Sequence, residues 1–376
     1  MYAHRPTEVE IDLAALRHNY ALLRQQLPAS VGVLAVVKAD AYGHGAIAVA
    51  RTLQQSGADL FGVAIAEEGL ELRRAGVTRP VLMLGGAWPG QEEIVLENDF
   101  QTSVFDVEQL QRLQQAAERA DRFCDCHLKI DSGMGRLGVL PEALPAFLDQ
   151  LKRFSRIRLV GVMTHLAMAD CVDHPHNRHQ INQFRVCVAQ LRAAGFSPRY
   201  IHAANSAASF SLADDLWTLA RPGIVLYGGQ PFAGTSALPL RPVMHFHTQI
   251  AHLKWLQPGH SVSYGQTFVA RRPTLLAAIP VGYADGFNRL LSSQAEVLIR
   301  GQRAPVAGRI CMDWTLVDVT DVEGVQPYDR VTLLGCDGDC CLYAEEWAEK
   351  IGTISYEVFC QVSKRVPRVY LGAETP

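Results

Sequence analysis

The strongest constraint on the fold is a regular alternation of short apolar, β-branched segments with amphipathic segments. The apolar segments predict eight strands, at residues 31–37, 60–65, 80–84, 101–105, 126–130, 158–163, 200–204 and 223–228. Between them, apolar residues recur at spacings of three and four, which predicts helices. The clearest of these are Ala46–Gln55, Val107–Arg119, Pro141–Phe154 and Asn177–Ala194. Such a pattern is typical of a (β/α)8 TIM barrel, with a doubly wound sheet as the alternative because periodicity does not show closure.

The pattern changes near residue 240. From Arg241 onward, strand-like segments follow one another with turns between them and a single predicted helix near Tyr343–Ile351. Pro, Gly and Ser accumulate at residues 235–242, where we place a domain boundary. We therefore predict a barrel domain over residues 1–240 and a mostly-β C-terminal domain over residues 241–376.

Charge and hydropathy exclude several classes of protein. Lys and Arg number 35 against 38 Asp and Glu, and 48% of residues are hydrophobic, so the chain can form a core and has no basic field for nucleic acid. No apolar run of 18 residues predicts a membrane helix. The first 20 residues lack a cationic region followed by an apolar one, so no secretory signal is predicted. We expect a cytoplasmic protein with no membrane partner.

The nine cysteines support the same compartment. An odd number without a leader predicts reduced thiols rather than a disulfide framework. Cys336, Cys340 and Cys341 in GCDGDCC resemble half of a zinc site, but no CxxC or His pair completes it. We expect a turn that carries free thiols, and no metal.

Lys38 ends the first predicted barrel strand, in AVVKADAYGHG. Barrel enzymes place their active sites at the carboxyl ends of the strands. A lysine there loses solvation, which favours the neutral amine that can attack an aldehyde and form a Schiff base. The alternative is a lysine that extends its amine to water over an apolar stem.

Polar residues follow other strands at the same end. The fifth strand leads into KIDSGMGRLG, where Arg136 can bind a carboxylate in bidentate fashion. The sixth ends at Thr164-His165, and the seventh leads to Asn205-Ser206. The eighth segment begins with Arg221-Pro222-Gly223-Ile224, and the loops after strands seven and eight of a barrel commonly hold a phosphate group. Each residue alone has a structural explanation, but their placement on one face favours an active site.

These motifs resemble those of the alanine racemases. The matching segments are AVVKADAYGHG, DSGMGRLG, HAANSAA, RPGIVLYG, SYGQTF, PVGYADG, GRICMD and GTISYE, in order over nearly the whole chain. The resemblance implies a fold-type-III enzyme dependent on pyridoxal 5'-phosphate, with a TIM barrel before the β domain. It also implies that the first ten or so residues pair with the C-terminal domain.

The resemblance implies a role for each matching residue. Lys38 and Tyr264 would act as the acid–base pair on opposite faces of the bound amino acid, with Lys38 also forming the Schiff base. The predicted substrate-binding residues are Arg136, Met312 and Tyr283, and the predicted supporting residues are His165, Lys129 and Asp313. The predicted cofactor-binding residues are Lys38, Tyr42, His202, Ser206, Arg221, Gly223, Ile224 and Tyr356.

Four of these residues carry further implications. Arg221 would face the pyridine nitrogen and, because a guanidinium keeps its proton, would leave that nitrogen unprotonated. Lys129 matches a position that is often carbamylated. Tyr264 and Met312 would reach the active site of a second subunit, which predicts a homodimer with composite sites.

The implied function is interconversion of L- and D-alanine, with D-alanine used for peptidoglycan. A serine or broad-specificity racemase is an alternative, because one polar atom changes discrimination only modestly. A fold-type-III decarboxylase would carry an acidic partner for the pyridine nitrogen, which Arg221 contradicts. A non-catalytic pyridoxal-phosphate carrier would need neither Tyr264 nor the β domain.

Overall fold

The computed structural model describes residues 5–212, 216–232 and 238–373. No helix in these ranges is long and apolar enough to cross a membrane. The first part of the chain alternates strands with helices. Its elements are β1 (Glu8–Asp12), α1 (Leu13–Gln26), β2 (Gly32–Val36), α2 (Lys38–Gly43), α3 (Ala46–Gln55), β3 (Leu60–Val63), α4 (Ala66–Arg74), β4 (Val81–Met83), α5 (Glu92–Glu97), β5 (Phe100–Val104), α6 (Val107–Arg119), β6 (Cys124–Lys129), α7 (Leu144–Leu151), β7 (Ile157–Met163), α8 (Pro175–Ala193), β8 (Tyr200–His202), α9 (Ala208–Ser211) and β9 (Leu219–Ala220).

Strands β2 to β9 form one eight-stranded parallel sheet in the order β8-β7-β6-β5-β4-β3-β2-β9. β9 pairs with β2, and on either side of β9 the Thr218 and Arg221 backbones donate to Ile201 O and Ala204 O around β8. These bonds bring the two ends of the sheet together, which does not happen in a doubly wound sheet. The barrel prediction is therefore confirmed. The helices cover its outer face, as α6 illustrates. Asp106 caps α6 by accepting a hydrogen bond from the Gln109 backbone, and Leu110, Leu113 and Ala117 are buried.

The position predicted for the eighth barrel strand was wrong. The strand is Leu219–Ala220, whereas Ile224–Tyr227, within the predicted segment at 223–228, form a 3-10 helix. Pro222 cannot donate to a sheet ladder, and Gly223 departs from strand geometry with φ −124° and ψ −89°. The apolar run that suggested a strand is fully buried as a helical turn instead. Its burial explains why hydropathy alone predicted the wrong element.

The rest of the chain is mostly β, as predicted. Its elements are β10 (Met244–Gln249), β11 (His252–Leu256), β12 (Ser261–Val262), β13 (Phe268–Val269), β14 (Thr274–Ile279), β15 (Glu296–Ile299), β16 (Gln302–Pro305), β17 (Thr315–Asp318), β18 (Arg330–Asp337), β19 (Cys340–Leu342), α10 (Ala344–Ile351), α11 (Ser355–Gln361) and β20 (Arg368–Leu371). The main sheet has the order β16-β15-β18-β10-β1-β20, with β19 paired to β18.

The amino terminus belongs to this second sheet. Strand β1 pairs antiparallel with β10 and parallel with β20, so this strand is part of the β domain although α1 of the barrel follows it directly. Asp12 makes the transition by capping α1 through hydrogen bonds from the backbones of Ala14 and Ala15. The predicted boundary at 235–242 falls partly on residues 233–237, which lie outside the described residues, and it stays a prediction.

One expectation about the cysteines was wrong. Cys336 and Cys341 form a disulfide, and their Cα atoms are 4.1 Å apart. The sequence GCDGDCC folds into the tight turn between β18 and β19, whose register places these two residues directly opposite each other. The spacing that looked like an incomplete metal site is therefore that of a cross-strand pair. Cys340 beside them remains a free thiol.

Candidate active site

A cavity of about 680 Å³ lies at the carboxyl ends of the barrel strands, with α11 on one side. It is the place where a barrel enzyme carries its active site. Ten of the residues singled out from the sequence line it: Lys38, Tyr42, Lys129, Arg136, His165, Asn205, Ser206, Arg221, Gly223 and Tyr356. The structure therefore brings together side chains that are up to 318 positions apart in the chain.

Lys38 enters the cavity from an unusual turn. The four residues from Ala39 to Tyr42 all have φ between 52° and 55°, a left-handed conformation that costs non-glycine residues energy. Side-chain acceptors hold the turn, because Glu68 Oε1 accepts from Ala39 N at 2.6 Å and Asp40 Oδ1 from Ala46 N at 2.7 Å. Burial and the nearby Arg136 charge lower the pKa of Lys38. A larger fraction of its amine is therefore neutral.

The same turn places Tyr42 in a cluster of aromatic rings. Its ring centroid is 4.9 Å from that of Tyr227 and 5.8 Å from that of Tyr356 on α11. Gly223 passes so close that a Cβ there would lie 2.4 Å from Tyr42 Oη. Ser206 Oγ accepts a hydrogen bond from Gly223 N at 2.8 Å. Two phenols, one hydroxyl and the backbone near Gly223 therefore form one polar corner of the cavity.

The loop after β6 holds Arg136 at the cavity through one carboxylate. Asp131 Oδ1 accepts hydrogen bonds from the backbones of Gly133, Met134 and Gly135, and its Oδ2 accepts from Arg136 N at 3.0 Å. Burial opposes ionisation of Asp131, but these four N–H groups outweigh it and hold its pKa below the usual value. The carboxylate thus acts as the centre of the loop.

Arg221 is fixed by acceptors on two neighbouring strands. Its Nη1 donates to His202 O at 2.7 Å and lies 3.1 Å from His202 Nδ1. Its Nη2 donates to Thr164 O at 2.7 Å and lies 3.4 Å from His165 Nδ1. The guanidinium is buried and its pKa is lowered to about 10, so it stays charged at neutral pH. No carboxylate is among these partners.

Positive charge dominates the cavity. Among the described residues that line it, Lys38, Lys129, Arg136 and Arg221 are cationic, and Glu357 is the single acid. Burial lowers the pKa of Lys129 to about 7, helped by the charges of Arg221 and Arg136. Burial and the Arg221 charge lower the pKa of His165 to about 2, so its imidazole is neutral. The arrangement suits a ligand that carries several negative charges.

The remaining predicted residues lie elsewhere. His202 and Ile224 are fully buried beneath the cavity. Tyr264, Tyr283, Met312 and Asp313 are in the β domain, and none of them lines the cavity as the described residues form it. Backbone bonds join their segments, since Tyr283 N donates to Cys311 O and Ala284 N to Met312 O. Ser263, next to Tyr264, donates from its Oγ to Arg309 O at 2.5 Å, so the Tyr264 loop lies beside the segment that leads to Cys311 and Met312. Tyr264 is 69% exposed and Met312 53% exposed, so this second cluster faces outward.

Comparison with known proteins shows the relationship of this architecture. The model of the alanine racemase N-terminal domain matches residues 11–231, and that of the C-terminal domain matches residues 243–370. The chain belongs to the alanine racemase family. An alanine racemase of Geobacter sulfurreducens is 50% identical over 98% of this chain and 97% of its own length. One from Geobacter sp. is 51% identical over 98% of this chain and 99% of its own.

Solved alanine racemases share the whole fold. That of Streptomyces lavendulae superposes with a TM-score of 0.93 at 36% identity, over 99% of both chains. That of Bacillus anthracis, solved with bound L-Ala-P, superposes with a TM-score of 0.92 at 36% identity, over 99% of this chain and 96% of its own. The family resemblance seen in the sequence motifs is confirmed.

The sequence analysis did not identify several of the residues that line the cavity. Ile354, Glu357 and Cys360 line it from α11 and the turn before it, although GTISYE was recognised as a family motif. The spacing of Cys360, four residues after Tyr356 on a helix, could have pointed to it. His127 was also missed. It lies two residues before Lys129 on β6, and side chains two apart in a strand share one face.

Proposed function

We propose that this protein interconverts L-alanine and D-alanine with pyridoxal 5'-phosphate as its cofactor. Its relatives over the full length of the chain are alanine racemases. The observation that carries the proposal is the position of Lys38, an amine with a lowered pKa at the entrance to a cationic cavity. The residues that form the site favour a small, anionic cofactor and a carboxylate substrate.

The residues fit the cofactor by the chemistry of their donors. The phosphate group would be held by the corner formed by Tyr42, Ser206, Gly223, Ile224 and Tyr356. Glycine at position 223 lets the backbone pass close to Tyr42 in this corner, because a Cβ there would collide with the Tyr42 hydroxyl. When bound, the cofactor withdraws electrons from the substrate Cα and acidifies its C–H bond.

Lys38 and Arg136 have complementary tasks in this proposal. Lys38 would bind the cofactor aldehyde through its amine and later accept or donate the proton at the substrate Cα. Its lowered pKa makes the neutral, proton-accepting form accessible. Arg136 would bind the substrate carboxylate, held in place by the Asp131 loop. Lys129 lies beside it, and its carbamylation would supply an anion that neutralises part of the charge.

Arg221 would determine which reaction follows. Its guanidinium would donate to the pyridine nitrogen and keep its own proton, because its pKa stays about 10 even when buried. An unprotonated pyridine withdraws electrons less strongly, which favours rapid return of a proton to Cα over transamination or decarboxylation. Within the described part of the chain, the hydrogen-bond partners of Arg221 are imidazole nitrogens and backbone carbonyls rather than carboxylates, which argues against a decarboxylase.

Tyr264 would hold or donate the proton on the opposite face of the substrate. It is exposed on the β domain, in the same cluster as Tyr283 and Met312. We therefore infer that the chain acts as a homodimer in which this cluster completes the partner's cavity. Asp313 would support the cluster through its ion pair with Arg365, at 2.6 Å.

Optical activity tests the proposal directly. The purified holoenzyme should racemise either enantiomer of alanine, and serine and larger amino acids should react more slowly. Cofactor-loaded protein that racemises none of them would contradict the function, and faster serine turnover would establish the serine alternative. Borohydride reduction followed by peptide mapping should label Lys38. A label on another lysine would refute the assignment of the cofactor-binding amine.

A further inference from the structure

A chain of hydrogen bonds runs from Arg221 into the interior of the barrel, away from the cavity. Arg221 Nη1 lies 3.1 Å from His202 Nδ1, and His202 Nε2 lies 2.8 Å from His127 Nδ1. His127 Nε2 lies 2.8 Å from Gln101 Oε1. Both imidazoles are fully buried, whereas Gln101 lines a surface cleft of about 250 Å³ at the opposite end of the barrel. The chain thus links Arg221 to that end through β8, β6 and β5.

The protons in this chain can be arranged in only one way. A guanidinium only donates, so His202 Nδ1 must accept and its proton must lie on Nε2. His202 Nε2 then donates to His127 Nδ1, which forces the His127 proton onto Nε2. That N–H donates to the carbonyl oxygen of Gln101, which only accepts. Every link therefore depends on the next, and Gln101 Oε1 is the final acceptor.

The surroundings keep both imidazoles neutral. Burial lowers the pKa of His127 to about 3, and the Arg221 charge adds to this effect. Burial, Arg221 and His127 lower the pKa of His202 well below its usual value. Arg221 is therefore the single charge among the four members of the chain, and its N–H groups face an acceptor rather than a second cation.

The backbone is adapted to hold the His127 ring. A Cβ at Gly161 on β7 would lie 2.1 Å from His127 Nδ1, so a glycine is needed where the ring passes. The register of β6 against β7 shifts between Cys126 and His127, at this same place. The Tyr200 ring stacks on His127 at 5.7 Å with an interplanar angle of 11°. These contacts define the ring orientation that the hydrogen bonds require.

We propose that His127 and Gln101 are positioning residues for racemisation, which hold His202 in the tautomer that accepts from Arg221 and so fix the guanidinium. Neither residue lines the cavity, and both act through His202. The effect on activity rests on the proposed function, in which Arg221 faces the cofactor's pyridine nitrogen. The tautomers of His127 and His202 are properties of the chain itself and can be measured separately.

Gln101→Glu tests the direction of the chain. A carboxylate next to His127 Nε2 favours an imidazolium, whose second N–H would then oppose the Nε2–H of His202. His202 would have to move its proton to Nδ1, where it meets the Arg221 donor. The groups that share the surroundings of His127 are Arg221, His202, Lys129, Asp125, Arg158, Tyr200 and Arg199. All of them are unchanged by the substitution.

The pH profile of kcat/KM for alanine provides the activity readout. We expect Gln101→Glu to lose about tenfold at pH 7, the cost of one misaligned buried hydrogen bond, and to recover as His127 loses its proton at higher pH. Gln101→Leu removes the acceptor without adding charge, so its activity should fall without a new ionisation. Thr78→Glu places the same charge in the same cleft but off the chain, and should keep the wild-type profile.

Nitrogen NMR of protein labelled with 15N-histidine provides the second readout. In the wild-type holoenzyme both His127 and His202 should carry their proton on Nε2, with the His127 signals assigned from their loss in His127→Gln. A His127 proton on Nδ1, or identical pH profiles for Gln101→Glu and Thr78→Glu, would overturn the inference. If Gln101→Glu fails to fold, the wild-type tautomers and the Gln101→Leu profile decide it. A wild-type protein with the expected tautomers but no racemase activity would refute the proposed function alone.

Discussion

Asp131→Asn should weaken substrate binding without touching the substrate. In the wild-type loop the carboxylate accepts four backbone hydrogen bonds, from Gly133 to Arg136. Asparagine keeps one oxygen, so three of these bonds change from charge-assisted to neutral and lose about 1 kcal/mol each. Its amide N–H₂ then faces Arg136 N, which loses its acceptor. We expect the loop to be destabilised by about 3–4 kcal/mol.

The kinetic consequence follows from the task proposed for Arg136. A side chain that binds the carboxylate throughout the reaction contributes uniform binding, whose loss raises KM and spares kcat. A loss of about 1.4 kcal/mol in binding free energy lowers affinity about tenfold. We therefore expect the destabilised loop to raise KM for alanine at least tenfold. The matched control is Asp121→Asn, at an exposed residue with φ of 48° that asparagine also adopts readily. Initial rates with alanine measure both, and a KM within twofold of wild type in Asp131→Asn would refute the reasoning.

Three further predictions concern assembly, pH and backbone conformation. Lys38→Ala and Tyr264→Phe chains, each inactive alone, can be dissociated, mixed and reassociated. About a quarter of the sites should become native if each site takes Tyr264 from the partner, and none should if the chain acts as a monomer. The lowered pKa of Lys129 means that the unfolded chain binds more protons between about pH 7 and 10.5, so stability rises with pH there. Thermal denaturation of the apoprotein without bicarbonate measures this rise in stability with pH, which should be absent in Lys129→Met. The same dependence of stability on pH in Lys129→Met and wild type would contradict the prediction. Gly138→Ala should destabilise by about 2–4 kcal/mol because its φ is 136° and the Cβ would lie 2.4 Å from Asp131 N, whereas Gly135→Ala, with open space, should cost about 1 kcal/mol in denaturant titrations.

Most strands and helices of the first domain could be predicted because periodicity reports local structure, whereas closure into a barrel was implied by the family resemblance. Helices Ala46–Gln55 and Val107–Arg119 have the predicted bounds, since each buries a regular apolar stripe and the second follows the capping residue Asp106. The predicted position of the eighth strand was wrong because the apolar residues Ile224–Tyr227 are buried in a helical turn rather than in a strand. The prediction of free thiols was wrong for a related reason. Cys336 and Cys341 lie opposite each other through the register of a hairpin, which their spacing in the sequence does not reveal.

The site residues also differ in whether local sequence patterns could predict their position. Lys38, Arg136 and Arg221 follow strands of one barrel, and parallel strands bring their carboxyl ends together whatever the loops contain. Tyr356 and Cys360 come from α11 in the other domain, and only the packing of α11 against α2 brings them to the cavity. No local pattern encodes such a contact. The family motif GTISYE supplied it for Tyr356, whereas Cys360 lies beyond that motif and was missed.

The proposed homodimer would make the outward-facing cluster on the β domain half of an interface. Tyr264, Tyr283, Met312 and Trp314 expose between 41% and 69% of their surface, although large apolar side chains are usually buried. Backbone hydrogen bonds hold three of their segments together: Tyr283 N donates to Cys311 O, and Cys311 N to Trp314 O. A rigid, partly aromatic patch of this kind loses little entropy when a second surface covers it. A second copy would cover it while supplying its own patch in return, because a two-fold interface buries the same residues on both sides. The exposure that makes these residues unfavourable in one chain is then the reason that two chains would form two complete sites.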